Sequence, residues 1–249
     1  MRRLRAAGCV FAEDEARLLV AGAATRDELA VLVGRRVDGE PLETILGWAE
    51  FCGLRVAVAR GVFVPRRRTQ LLARQAARLA GAGSVVLDLC CGSGAVGVAI
   101  AAAVPDVRLF AADIEPAAVA CARNNIEPIG GRVFEGDLYD ALPDALLGRI
   151  DVLAVNAPYV PTEDIASMPP EARLHEPRVS LDGGEDGLDV QRRVALGARR
   201  WLSDAGHVLV ETSLRQAPHT AALLSDAGLV TRIARDDGIG GTAVIGSRR

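Results

Sequence analysis

From residue 81 to the end of the chain, short apolar runs alternate with helical segments, and this alternation limits the fold more than any other feature of the sequence. Strands and helices that alternate in this way bury a parallel sheet between two helical layers. The seven predicted strands cover residues 84–89, 107–113, 132–135, 150–155, 206–211, 229–235 and 242–246. The last two are joined by a loop too short for a helical crossover, so we expect them to pair antiparallel. The sequence therefore predicts an α/β protein with a mostly parallel sheet and one antiparallel strand.

The first 64 residues follow a different pattern. Residues 1–40 carry apolar side chains at helical spacing, and Thr25 followed by Glu28 resembles a capping box. Gly34 is expected to break this helical pattern. From Thr44 onwards apolar and polar side chains alternate around Cys52-Gly53, which predicts a β-hairpin.

Composition excludes several classes of protein. The 249 residues carry a formal net charge of −3 and give a pI of about 5.7, whereas a domain that wraps nucleic acid is usually basic, so no stable nucleic-acid binding is expected. The five cysteines form no C-x-x-C pair, so we expect neither a disulfide framework nor a bound metal. Without a signal peptide or an apolar run of about 20 residues, the sequence predicts a cytoplasmic protein that does not enter a membrane.

A glycine-rich loop lies between the first strand and helix of the alternating region. It reads Asp88-Leu89-Cys90-Cys91-Gly92-Ser93-Gly94, and Asp113 ends the next strand. Glycines let the backbone approach a ligand, and a carboxylate at the end of the second strand accepts from ribose hydroxyls. The pattern indicates a nucleoside-containing cofactor. The G-x-G-x-x-G spacing leaves a nicotinamide cofactor open, but an acidic residue at the position of Asp88 is typical of S-adenosylmethionine-dependent methyltransferases.

A second motif, Asn156-Ala157-Pro158-Tyr159, follows the fourth strand. It resembles the N-P-P-Y motif of methyltransferases that act on planar amide or amino nitrogens. The Asn156 side-chain oxygen and the Ala157 carbonyl would each accept one N–H of the target group, and Tyr159 would stack on its plane. Because in-line transfer needs aligned atoms, positioning is the main catalytic resource of such a site.

At this point the sequence resembles the HemK/PrmC-type protein N5-glutamine methyltransferases, which modify the Gly-Gly-Gln motif of peptide chain release factors. The resemblance runs from about Gly39 to the C-terminus and includes a segment similar to P-R-P-x-T-E, at 65–70. Its further matches are Gly39-Glu40-Pro41, Gly136-Asp137-Leu138-Tyr139, Glu176-Pro177 and Gly183-Gly184 with Gly187-Leu188. It implies a Rossmann-like, seven-stranded S-adenosylmethionine-dependent methyltransferase fold. The chain then divides into a helical and hairpin region for substrate docking (1–64) and a methyltransferase domain (65–249), which opens with a helix over 69–80 capped by Thr69.

The motifs and the resemblance together assign the site. Asn156 and Tyr159 are the expected catalytic residues, and Ala157 and Pro158 join them in binding substrate. The expected cofactor contacts are Asp88, Cys90, Cys91, Gly92, Ser93, Gly94, Asp113, Asp137, Leu138 and Asn156. The cofactor is S-adenosyl-L-methionine and the partner a release factor.

The chain also departs from the family pattern. Cys90-Cys91 replaces the usual Gly-Thr, Gln70 replaces Glu, Leu138 replaces an aromatic residue and Ala157 replaces Pro. The helical region is shorter than the family's usual docking domain. These departures bear more on the identity of the substrate than on the type of reaction. The alternatives are methylation of an adenine or guanine amino group, NAD-dependent oxidoreduction, and binding of a cofactor without catalysis.

Overall fold

The computed structural model describes residues 1–248, and its first part is a cluster of short helices followed by a β-hairpin. The helices are α1 (Arg2–Ala6), α2 (Ala12–Gly22), α3 (Arg26–Val37) and α4 (Leu42–Leu46). The strands β1 (Trp48–Phe51) and β2 (Leu54–Ala57) pair antiparallel, so the predicted hairpin is confirmed. The Thr25 hydroxyl accepts a hydrogen bond from the Glu28 amide at 3.1 Å, as a capping residue of α3 should.

Two expectations for this region are wrong. Gly34 lies inside α3 and does not end it, because Val33 and Val37 on either side pack on the helical core and one internal glycine costs only about 1 kcal/mol. Residues 42–46 form α4 instead of the start of the alternating segment, since Ile45 is buried in the same helical core.

The rest of the chain forms the predicted alternation of strands and helices. Its elements are α5 (Gln70–Leu79), β3 (Val85–Leu89), α6 (Ala95–Ala103), β4 (Arg108–Asp113), α7 (Pro116–Ile126), β5 (Arg132–Glu135), β6 (Ile150–Val155), α8 (Pro170–His175), α9 (Asp189–Trp201), β7 (Leu202–Glu211), α10 (Ala217–Asp226), β8 (Val230–Asp236) and β9 (Gly241–Ser247). Thr69 precedes α5 but makes no capping hydrogen bond, contrary to expectation, because its own backbone is already helical. None of the helices within residues 1–248 is both long enough and apolar enough to cross a bilayer.

The seven-stranded sheet has the order β5-β4-β3-β6-β7-β9-β8. Strands β5, β4, β3, β6 and β7 pair in parallel, and β9 is antiparallel to both of its neighbours, β7 and β8. One antiparallel strand in a mostly parallel sheet is the predicted architecture, and it is confirmed. The strand lies between two others, so its backbone groups are paired along both edges.

The central strands of the sheet are buried on both faces, which explains their continuous apolar sequences. Val86 packs with α5, α6 and α7 on one face, and Leu87 packs with α9 and α10 on the other. All five residues of β3 are buried, including Asp88. A strand with both faces covered has no polar side, so a carboxyl group within it must have a specific partner.

The hairpin is attached to the sheet domain by the side chain of Asn125, on α7. Asn125 Oδ1 accepts from the Ala57 amide at 2.9 Å, and Asn125 Nδ2 donates to the carbonyls of Ala57 and Ser93, each at 2.9 Å. Phe51 and Val56 of the hairpin also belong to the core cluster that contains α5 and α6. One amide therefore connects the hairpin, α7 and the glycine-rich loop. The division of the chain at residue 64 stays a prediction.

Replacing Asn125 by Ala should lower the free energy of unfolding by about 2–3 kcal/mol, because several hydrogen bonds to half-buried backbone groups are lost together. Urea denaturation measures the change. The matched control is Asn124→Ala, since Asn124 is an exposed neighbour on the same helix. Equal losses in the two variants would contradict the anchoring role of Asn125.

Candidate active site

Polar side chains follow three neighbouring parallel strands, at the edge of the sheet where ligands bind in open α/β folds. They surround a cavity of about 520 Å³, a volume suited to a small-molecule ligand. Of the residues assigned from sequence, those that line this cavity are Asp88, Cys90, Cys91, Gly92, Ser93, Asp113, Asp137, Leu138, Asn156, Ala157, Pro158 and Tyr159. Gly94 is not in the lining. The structure thus brings the cofactor motif and the Asn156–Tyr159 motif to one cavity.

The glycine-rich loop turns through left-handed backbone at alternate residues. Cys90, Gly92 and Gly94 have φ values of 58°, 55° and 77°. A Cβ on Gly94 would lie 2.6 Å from Ile126 Cδ1, so glycine is required there for close packing. Gly94 therefore allows the loop to pack closely on Ile126, and it does not line the cavity. At Cys90 a side chain occupies a conformation that glycine adopts at lower cost, which accounts physically for the usual glycine of the family.

Asp113 holds the loop against the end of β4. Its Oδ2 accepts from the Gly92 amide at 2.8 Å and its Oδ1 from the Glu115 amide at 3.0 Å. Each carboxylate oxygen has a second lone pair, so Asp113 still has capacity to accept from ribose hydroxyls in the cavity it lines. Burial raises its pKa, and the backbone hydrogen bonds oppose this change.

Asp88 is the most deeply buried carboxyl group of the cavity, with 1% of its surface exposed. Its Oδ2 accepts from the Gly97 amide in the first turn of α6 at 2.8 Å. The pKa of Asp88 is raised to about 8; desolvation is the main cause, the hydrogen bond from the Gly97 amide opposes the rise, and the nearby Asp113 adds to it. A cationic amino group in the cavity would stabilise the ionised form of this carboxyl group.

Asp137 and Leu138 form the wall beside the end of β5. The Asp137 carboxylate pairs with Arg193 at 2.7 Å. Leu138 has a φ of 49° and is 8% exposed, so it offers an apolar surface to the cavity. Leu138 thus provides apolar contact where the family commonly has an aromatic residue.

The Asn156–Tyr159 turn is held by backbone and side-chain contacts from the glycine-rich segment 183–187. A Cβ on Gly183 would lie 2.8 Å from Tyr159 Cα, and one on Gly187 would collide with the Tyr159 carbonyl oxygen. Gln216 Nε2 donates to that carbonyl at 3.0 Å and to the Asp186 carbonyl at 3.1 Å. Within residues 1–248, neither the Asn156 side-chain amide nor the Ala157 carbonyl forms a hydrogen bond. Both groups are therefore available to a bound molecule.

Several charged residues around the cavity were not assigned to the site from sequence, although Arg66, Arg68 and Glu176 lie in segments that resemble the family. Arg68 Nε donates to Tyr159 Oη at 3.0 Å, and the Tyr159 hydroxyl donates to Glu211 Oε1 at 3.3 Å. Glu176 accepts from the Val64 amide at 3.1 Å and from Arg66 Nη2 at 2.6 Å. A signal for Glu211 was present in the sequence, because it is a charged residue at the end of an apolar strand, like Asp113.

The two cysteines of the loop are not suited to nucleophilic catalysis or to metal binding. Cys90 and Cys91 are free, and desolvation raises the pKa of both thiols, with the neighbouring aspartates adding to the effect. Thiols in this state are poor nucleophiles and poor metal ligands. Within residues 1–248, no cluster of three or more His, Cys, Asp or Glu side chains is arranged to hold a metal ion.

The residues of the cavity fit S-adenosylmethionine. A carboxylate at the end of β4 suits ribose, the buried apolar side chain of Leu138 suits an adenine ring, and buried Asp88 suits an amino group. Together with a mostly parallel sheet in which β9 is antiparallel to both of its neighbours, these features define an S-adenosylmethionine-dependent methyltransferase. The profile of the methyltransferase small domain family matches residues 54–174.

Comparison with known proteins narrows the class to a family. The release factor glutamine methyltransferase of Geobacter sulfurreducens is 39% identical over 89% of this chain and 79% of its own length. The 4-amino-L-phenylalanine/4-methylamino-L-phenylalanine methyltransferase of Streptomyces pristinaespiralis is 36% identical over 79% of this chain and 69% of its own. A methyltransferase structure from Pyrococcus furiosus shares the fold, with a TM-score of 0.60, 16% identity, and coverage of 79% of this chain and 89% of that one. The chain belongs to the release factor glutamine methyltransferase family.

The raised pKa of Asp88 predicts a pH dependence of stability. The folded protein keeps this proton up to a pH of about 8, whereas an unfolded aspartate loses it near pH 3.9. The contribution of Asp88 is therefore fully present below about pH 4 and is lost as the pH rises to about 8. Urea denaturation of the cofactor-free protein should show a steeper decline with pH for wild type than for Asp88→Asn. Parallel pH profiles would contradict the assignment.

Asp113→Asn should weaken binding of S-adenosylmethionine by about 1.5–3 kcal/mol, the scale of a hydrogen bond to a charged group. Asparagine keeps one acceptor for the loop but removes the negative charge. Isothermal titration calorimetry measures the affinity, and circular dichroism checks that the variant is folded. The matched control is Asp106→Asn, since Asp106 lies outside the cavity lining. Unchanged affinity in a folded Asp113→Asn variant would remove Asp113 from the cofactor site.

Proposed function

We propose that this protein transfers a methyl group from S-adenosylmethionine to the side-chain amide nitrogen of a protein glutamine, namely the glutamine of the Gly-Gly-Gln motif in peptide chain release factors. The observation that carries the proposal is the pair of unengaged groups, the Asn156 amide and the Ala157 carbonyl, beside the cofactor loop. The partner is then a release factor, and the enzyme works in the cytoplasm, where translation ends.

The unengaged groups suit a planar amide. An amide nitrogen is a poor nucleophile because its lone pair is delocalised into the carbonyl. Asn156 Oδ1 and the Ala157 carbonyl each accept one N–H of the substrate, so the nitrogen is held in a single orientation. The carbonyl belongs to the backbone, so alanine at 157 supplies it as proline would. Tyr159 lines the same cavity and gives the amide plane an aromatic surface to stack on.

The cofactor residues complete the arrangement. When bound, S-adenosylmethionine supplies an electrophilic methyl group. Asp113 and the Gly92 loop would hold its nucleoside part, Leu138 would provide an apolar contact for the adenine, and Asp88 would accept from its amino group. No strong general base is needed in the cavity, because an amide nitrogen becomes acidic once it is alkylated. Burial of Tyr159 raises its pKa to about 12, so this side chain stays neutral as the stacking role requires.

A free amine on an aromatic ring is the second candidate substrate. The relative from Streptomyces pristinaespiralis is named for 4-amino-L-phenylalanine, and an aryl amine also presents a planar NH₂ group. The two substrates differ in size, and a protein loop would make contacts outside the cavity. A nucleic-acid amino group is disfavoured by the net charge of −3.

The substrate is tested by incubating the protein with isotopically labelled S-adenosylmethionine and a purified release factor, followed by mass spectrometry of the Gly-Gly-Gln peptide. We expect one labelled methyl group on the glutamine. A release factor with glutamate in its place should remain unlabelled. Labelling of 4-amino-L-phenylalanine alone would overturn the proposal in favour of the second candidate.

Asn156→Ala should reduce the single-turnover rate by two or more orders of magnitude, on the order of 3 kcal/mol in the activation barrier. Binding of S-adenosylmethionine should be largely retained, because the cofactor contacts lie mainly on the glycine loop and Asp113. The apparent affinity for the release factor should also change little, since most of that contact lies outside the cavity. Asn124→Ala serves as the control for loss of an asparagine. A wild-type rate in Asn156→Ala would exclude the assigned mechanism.

A further inference from the structure

The Tyr159 hydroxyl is held by two charged groups that the proposed mechanism does not use. It accepts from Arg68 Nε at 3.0 Å and donates to Glu211 Oε1 at 3.3 Å. Arg68 Nε lies 3.4 Å from the same Glu211 oxygen, so the three side chains form a closed triangle. Arg68 comes from the turn before α5 and Glu211 from the end of β7. The triangle therefore connects three segments that are far apart in sequence.

Glu211 occupies an unfavourable environment. Its side chain is 3% exposed, and its Oε2 is a buried oxygen without a hydrogen-bond partner in the described part of the chain. Thr69 Oγ1 is a second buried oxygen without a hydrogen-bond partner among residues 1–248, and burial is the main cause that raises the pKa of Glu211. A buried carboxyl group with half of its hydrogen-bonding capacity unused costs free energy. Fold stability alone gives no reason to retain it.

We propose that Arg68 and Glu211 are positioning residues, which fix the ring of Tyr159 and through it the turn that presents Asn156 and the Ala157 carbonyl. This inference rests on the proposed function, because the plane of the ring matters only when a planar group stacks on it. The substrate nitrogen is held from one side by the turn and from another by the ring. A small rotation of the ring therefore misaligns the nitrogen, and misplacement of about 1 Å costs up to 100-fold in rate.

Arg68 stands at the position that the family segment P-R-P-x-T-E leaves unspecified. Its side chain is 44% exposed and lines the cavity, so Arg68→Ala removes the donor without opening a hole in the core. Arg74 provides a matched control on the following helix. It is 45% exposed, it pairs with Asp236 at 2.8 Å, and it lies outside the cavity lining.

The kinetic experiment measures single-turnover methyl transfer to a release factor. Arg68→Ala should lower the rate constant by roughly tenfold or more, with KM for the release factor and affinity for S-adenosylmethionine unchanged. Arg74→Ala should react as wild type does. Glu211→Ala should lower the rate constant as much as Arg68→Ala does. Glu211→Gln should remain within roughly threefold of wild type, because the amide oxygen of glutamine can accept the same hydrogen bonds from Tyr159 and Arg68.

A double-mutant comparison tests whether Arg68 acts through the phenol. Tyr159→Phe removes the hydroxyl and leaves the ring. If the proposal holds, adding Arg68→Ala to Tyr159→Phe changes the rate no further. An undiminished loss in the double variant would overturn the proposal, as would a wild-type rate in Arg68→Ala alone.

A spectroscopic readout separates this inference from the proposed function. The chain has two tyrosines, so protein labelled with 3-fluorotyrosine gives two ¹⁹F resonances, which Tyr159→Phe assigns. Arg68→Ala and Glu211→Ala should shift or broaden the Tyr159 resonance. The Tyr139 resonance should stay in place, because that hydroxyl donates to the Val194 carbonyl and the ring stacks on Trp201. An unmoved Tyr159 resonance in Arg68→Ala would overturn the inference, whereas an inactive wild-type protein would overturn only the proposed function.

Discussion

The in-register parallel pairing of β3 with β4 and β6 determines the rest of the site. Leu89 is paired with Ala112 on one side and with Val155 on the other. Cys90, Asp113 and Asn156 each follow one of these paired residues, so they emerge at the same level of the sheet. A slip of one residue in either pairing would turn alternate side chains to the opposite face. It would move Asp113 or Asn156 away from the cavity. The relative positions of the polar site residues are thus set by the register of strands that are themselves mostly apolar.

Three buried carboxyl groups lie in the cavity lining or bind residues that line it, and their hydrogen-bond partners differ. Asp88 has a single backbone amide, Glu176 has Arg66 and a backbone amide, and Glu211 has Arg68 and Tyr159. Burial raises the pKa of all three. Both arginine partners, Arg66 and Arg68, come from the short segment before α5. That segment therefore fastens the loop that carries Glu176 and the turn that carries Tyr159, and its basic residues serve the site instead of facing only solvent.

The features that were predictable from sequence are those with a local signature. Strand–helix alternation, the Cys52-Gly53 hairpin and the polar residues at strand ends all depend on neighbours in the chain, and the structure agrees with them. Long-range contacts left no such signature. The bond from Asn125 to the hairpin joins positions 68 apart, and that from Tyr159 to Arg68 joins positions 91 apart. Glycine often ends a helix, but at Gly34 the packing of neighbouring side chains on the helical core keeps α3 continuous. Threonine is a common capping residue, but the backbone of Thr69 is already helical and its hydroxyl caps nothing.

The adjacent free cysteines Cys90 and Cys91 make the cofactor loop accessible to study by chemical modification. Alkylating reagents react with thiolates, and desolvation raises the pKa of both Cys90 and Cys91, so this loop conformation disfavours their alkylation. Both residues line the cavity. A ligand that fills the cavity covers them, so protection of these two thiols from alkylation reports occupancy of the site without a measurement of turnover.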